Sequence, residues 1–117
     1  MTAPLDLEKL HADFSAAVNM SADEIESWLT TDSSHVVGWK GANGDRPESV
    51  GHASGRRIVQ ILRKRRDGIT ADDYEHMRKV VGFVRRHSAQ RPENVYTSRW
   101  RYSLMNWGHD PLKEDDK

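Results

Sequence analysis

Two tetrapeptides do most to restrict what this chain can fold into. Ser21-Ala22-Asp23-Glu24 and Thr70-Ala71-Asp72-Asp73 each place a hydroxyl three positions ahead of a carboxylate, just before apolar residues at helical spacing. In that order the hydroxyl accepts the backbone N–H of the third helical residue and the carboxylate returns to the cap, so both positions start helices. Ile25, Trp28 and Leu29 follow the first. Tyr74, Met77, Val81 and Val84 follow the second, at steps of three and four that build one face.

The same period predicts three more helices. A first runs from Leu5 to Val18, with Leu7, Leu10, Phe14, Ala17 and Val18 inward. A third, from about Val50 to Arg66, carries Ile58, Ile61 and Leu62 on one side and stops at Asp67-Gly68. The fourth then extends from Thr70 to about Gln90, before Pro92. A fifth begins after Thr97 or Ser98 and ends at Gly108, with Trp100, Leu104 and Trp107 on one face. Residues 32–49 are rich in Gly and read as a long loop, with Val36 to Trp39 as a short extended piece. The expected fold is all-α: a small bundle of about five helices with a long Gly-rich loop between the second and third. One domain is expected over 1–117, made of an acidic helical pair (5–31), the loop (32–49), a basic helical part (50–110) and a charged tail (111–117).

Charge sorts along the chain in the same way. The formal net charge is zero. Residues 1–34 nevertheless hold one base against seven acids (net −6), residues 35–112 fifteen bases against eight acids (net +7), and the last five residues net −1. Such asymmetry points to an anionic partner for the basic part, or to two halves that attract each other. On the third helix Arg56, Arg57, Gln60, Arg63 and Lys64 lie away from the apolar stripe. On the fourth Arg78 and Arg85 stand seven apart, as do Lys79 and Arg86. Arg99 and Arg101 add to them. If the two helices form a hairpin, their basic faces lie side by side, able to hold the phosphates of DNA or RNA without regard to sequence. Gln60 is placed for base readout. The alternative is a solvated face paired with the acidic N-terminal segment. The Arg-and-aromatic run 97–108 can stack on bases or pack as core with its arginines outward.

Several chemistries are not expected. The chain has no Cys, which excludes disulfides and thiolate metal sites. His76 and His87 are eleven residues apart, about 16 Å along a helix, and cannot share an ion. Gly51-His52-Ala53-Ser54-Gly55 lacks the Lys-Ser/Thr ending of a phosphate loop and instead suits close approach of the loop or of a neighbouring helix. No catalytic residue, metal or cofactor is expected; His52 and His109 are the candidates if the chain were an enzyme. No run of residues is long and apolar enough for a membrane, and the acidic N-terminal stretch differs from a secretory leader. A cytoplasmic protein is expected.

The strings "AVNMSADEIESWL", "GHASGRRIVQIL", "DYEHMRKVVGFVRRH" and "RWRYSLMNWGHDP" together resemble the small bacterial family called domain of unknown function 3140, over about Leu7 to Leu112. Its members are often labelled DNA-binding proteins. The resemblance therefore implies DNA binding and supplies no site residues. The leading expectation is a non-enzymatic DNA-binding protein that grips the phosphate backbone through its two basic helices. The alternative is a protein-interaction module or self-associating adaptor that uses its acidic and basic halves.

Overall fold

A computed structural model describes residues 4–40, 44 and 48–115. Residues 41–43 and 45–47 of the expected loop and 116–117 of the expected tail lie outside the described residues. Within them all regular structure is helical: α1 (Pro4–Ala17), α2 (Ala22–Leu29), α3 (Asp32–Val36), α4 (Val50–Leu62), α5 (Ala71–Ser88), α6 (Arg99–Asn106) and α7 (Pro111–Asp115). Five of these have eight residues or more, and they are the five read from the apolar period. Their starts are chemically marked. Ser21, Ser49, Thr70 and Ser98 each accept, through the side chain, the N–H of the residue three positions on, and Glu24 and Asp73 return the bond to their caps.

Three local readings change. The third expected helix, now α4, ends at Leu62 with Arg63 as its C-cap, and a single 3₁₀ turn follows at Arg66–Gly68. Continuing the helix would stack like charges at 63 and 66 on adjacent turns; unwinding lets Arg63 and Lys64 turn to separate acids. Within the expected loop Thr31 caps the five-residue α3, too short to show an apolar period. Val36 therefore ends a helix, and no strand forms among the described residues. Pro111, suited to a first helical position, opens α7 in the expected tail.

The larger change concerns α4 and α5. They do not pack side by side as a hairpin: α4 lies mainly on α2, α5 mainly on α1, and the two long helices meet only sparsely. Their apolar stripes are covered by the N-terminal helices instead. Phe14, Ile25, Ile58, Met77 and Leu104, from five different helices, are fully buried together. Leu62, expected inward, is partly exposed, and Val59 takes a core place.

α6 wedges among α2, α3, α4 and α5, and Gly55 makes room for it. A Cβ there would stand 2.6 Å from the Asn106 carbonyl oxygen and 2.8 Å from Leu29. The buried Asn106 amide then ties three helices. Its oxygen accepts Trp28 Nε1–H at 2.7 Å and the Ser34 hydroxyl at 2.6 Å, and its nitrogen donates to the Ser34 carbonyl at 3.2 Å. The segment after α6 fastens back onto the start of the chain. Asn19 and the Asp110 backbone exchange two hydrogen bonds, and Lys113 reaches Glu24.

Candidate nucleic-acid interface

The bases of α4 and of the two residues after it are engaged, and the acids that engage them come from three places. Arg56 donates to Glu48 at 2.8 Å, and His52 Nδ1 contacts the same carboxylate. Arg63 is forked between Asp23 at 2.8 Å and Glu26 at 2.9 Å, both on α2. Arg57 and Lys64 share Asp73, the capping acid of α5. The Arg56 bond lowers the Glu48 pKa to about 2, with His52 assisting against the cost of burial. Burial alone would raise Asp73, but Lys64, the Thr70 cap and Arg57 together hold it well below the ordinary carboxylate range. Gln60 is exposed beside Arg56 and Arg63 in a crevice between α2 and α4 that also contains Glu26.

α5 differs. Arg78 and Arg85 make only long, exposed contacts, 3.9 Å to Glu75 and 3.5 Å to Asp13. Lys79 and Arg86 form no ion pair among the described residues. These last two, with Arg78, border a groove of about 510 Å³ between α5, α6 and the segment entering α4. No described acid lines it.

A family model described as a protein of unknown function, DUF3140, matches residues 13–105. The chain belongs to that family. No curated protein and no solved structure matches it. The DUF3140 span runs from the second half of α1 into α6 and so contains both basic helices.

Of the remaining sequence candidates, Arg101 sits in the fold itself. Its side chain is 15% exposed and makes two bonds of 3.1 Å to Asp110, a third to the Tyr96 carbonyl, and a cation–π contact with the Tyr96 ring. Arg99 donates to the Val36 carbonyl at 3.1 Å and remains exposed. The aromatic run is largely core: Trp107 is buried and Trp100 half-buried, with its indole N–H donating to the His87 carbonyl. Neither histidine held in reserve for catalysis is exposed. His52 spans Glu48 and the Leu29 carbonyl, and His109 packs against the Ala17 carbonyl at 2.7 Å.

Trp39, Gly82 and Phe83 carried no role in the sequence reading of this DUF3140 chain, yet all three line the groove. A glycine two-thirds of the way along an 18-residue helix, and a tryptophan in a Gly-rich loop, were the available signals.

Proposed function

We propose that this protein binds nucleic acid, DNA in the first instance, through the outward face of α5. The observation that carries the reading is the contrast in pairing: Lys79 and Arg86 have no acidic partner among the described residues, and Arg78 and Arg85 have only distant, exposed ones. Exposed ion pairs contribute about 0–1 kcal/mol, so a phosphate displaces Glu75 or Asp13 at little cost. The four bases span residues 78–86, about 12 Å along the helix axis, a length over which several phosphates of a strand pass. Their long stems bring charge to the backbone without selecting a sequence.

The interaction-module reading draws on Asp23, Glu24 and Glu26, and these are paired within the molecule to Arg63 and Lys113 in exposed contacts that a partner would have to displace. Lys79 and Arg86 have no such pairs to displace among the described residues, which favours the nucleic-acid reading. No chemical step is proposed.

Fluorescence anisotropy with labelled duplex and single-stranded DNA at several salt concentrations tests it. With about four contacts, log affinity for duplex should fall against log salt with a slope of roughly −3 to −4. Lys79→Glu with Arg86→Glu should weaken binding at least tenfold, about 1.4 kcal/mol. Absence of binding to any nucleic acid at low salt overturns the reading.

A further inference from the structure

The groove beside the α5 bases has aromatic walls, which backbone binding alone does not use. Phe83 and Trp107 stack at 4.3 Å between ring centroids and 13° between planes, and His87 stacks on the other side of Phe83 at 4.0 Å. Burial and the neighbouring Arg86 lower the His87 pKa, so at neutral pH that ring is uncharged and extends the aromatic surface. From the opposite segment comes Trp39, 62% exposed. Its indole is in water, but its backbone is anchored. Val50 N–H donates to the Trp39 carbonyl at 2.9 Å, and Gly38 turns there at φ +97 against the Ser49 side chain. An exposed indole on an anchored backbone is pre-placed for a planar ligand, since little further ordering is required on binding.

We infer that this groove takes one unstacked base of single-stranded DNA, held against Trp39 and the Phe83 edge while Arg78, Lys79 and Arg86 hold its flanking phosphates. The inference rests on the nucleic-acid reading of α5 and adds the kind of strand. Charge complementarity commits the occupant. Three cations and no described acid border a cleft whose volume lies within the roughly 300–1,000 Å³ of small-ligand sites. An apolar peptide would leave those cations uncompensated, and a paired duplex keeps its bases stacked away from the indole. Aromatic stacking with cationic backbone contact is the chemistry by which single strands are held with little regard to sequence.

The test compares three ligands on the full chain: a dT 20-mer, an abasic 20-mer of equal charge and a 20-base-pair duplex. Anisotropy is read together with intrinsic tryptophan fluorescence. The expected result is at least tenfold tighter binding of dT than of the abasic strand or the duplex, with quenching by dT alone. Trp39→Ala, at an exposed position, should melt like the parent and remove that preference while leaving abasic-strand affinity unchanged. Equal affinity for all three ligands, with no effect of Trp39→Ala, overturns the inference and leaves backbone binding standing. A Trp39→Ala protein that keeps the dT preference also overturns it. Failure of all three ligands to bind overturns both readings.

Discussion

α4 and α5 are built alike and end up unlike. Each is an amphipathic helix with a capped start, an apolar stripe and arginines seven residues apart on the far side. On α4 and the two residues that close it, the cations Arg56, Arg57, Arg63 and Lys64 each meet a carboxylate, supplied by α2, by the approach to α4 and by the cap of α5. On α5 two cations meet none and two meet one at long range. A basic face is a property of one helix. Whether that face is available depends on acids placed by other parts of the chain, 37 and 40 residues away in the case of Arg63. Helical periodicity reports the first and is silent on the second.

On their inner sides the two helices should respond alike, and that gives the largest expected effect. Ile61 and Val81 are both buried, so Ile61→Asp and Val81→Asp should each unfold the protein. A buried carboxylate without a partner costs several kcal/mol, comparable with the roughly 5–15 kcal/mol that holds a small domain together. Circular dichroism at 25 °C checks this. Cooperative, near-parental melting of either variant would mean that the inner faces differ as well.

Asp73 is the point at which the two helices are joined by charge. Asp73→Ala removes one half of a capping box and leaves Arg57 and Lys64 without their acid, a loss of about 2 kcal/mol. The pH dependence has a definite sign. Because the folded pKa of Asp73 lies below its unfolded value, its contribution is complete above about pH 4 and is lost as pH falls through the folded value. Glu48 adds to the same limb between about pH 4.5 and its folded value of about 2. Urea melts across pH 2–6 should show stability falling toward acid, with a shallower limb in Asp73→Asn. An unchanged limb would remove Asp73 as the α4–α5 clasp.

The outer faces should separate cleanly under charge reversal. Arg63→Glu faces Asp23 and Glu26 with a like charge and should lower the melting temperature, with recovery when both acids are replaced by Lys. Lys79→Glu with Arg86→Glu has no such partners to repel and should leave melting nearly unchanged while nucleic-acid affinity drops at least tenfold, about 1.4 kcal/mol. Melting temperatures and anisotropy on the same samples decide it. If the α5 reversal destabilises as much as the α4 reversal, the contrast between the faces is not one of pairing.

Much of the architecture was readable from local chemistry. The capping hydroxyls at Ser21, Thr70 and Ser98 locate the starts of three of the five longer helices, the apolar steps alone locate α1, and the largest overrun is at the end of α4, read to Arg66 where the helix stops at Leu62. The role of Gly51 and Gly55 as places of close approach was also legible, since their Cβ positions meet Trp107 and Asn106. What was not legible was tertiary. The pairing of Arg101 with Asp110, the Asn106 hub and the cover of α5 by α1 rather than α4 depend on how helices cross, which no one-dimensional period encodes. The candidate site follows the same division: its cations were visible as a face, while its aromatic walls come from three segments that only folding brings together.

Gly82 carries the smallest and most discriminating expectation. It lies inside α5, where glycine costs about 1 kcal/mol relative to alanine through backbone entropy. Packing does not require it: a Cβ there would meet only the Arg86 guanidinium, at 3.0 Å, and that flexible tip can swing aside. Gly55 on α4 is the opposite case, since its Cβ would strike the Asn106 backbone at 2.6 Å. Gly55→Ala should therefore destabilise, whereas Gly82→Ala should stabilise by about 0.5–1 kcal/mol, a rise of several degrees in melting temperature. The added methyl narrows the groove and displaces Arg86 from beside it, so dT affinity should fall as stability rises. Opposite movement of the two quantities on α5, against loss of stability on α4, would mark Gly82 as serving the groove rather than the fold. A stabilised Gly82→Ala protein with unchanged dT affinity would instead leave the α5 bases as a backbone contact that needs no groove.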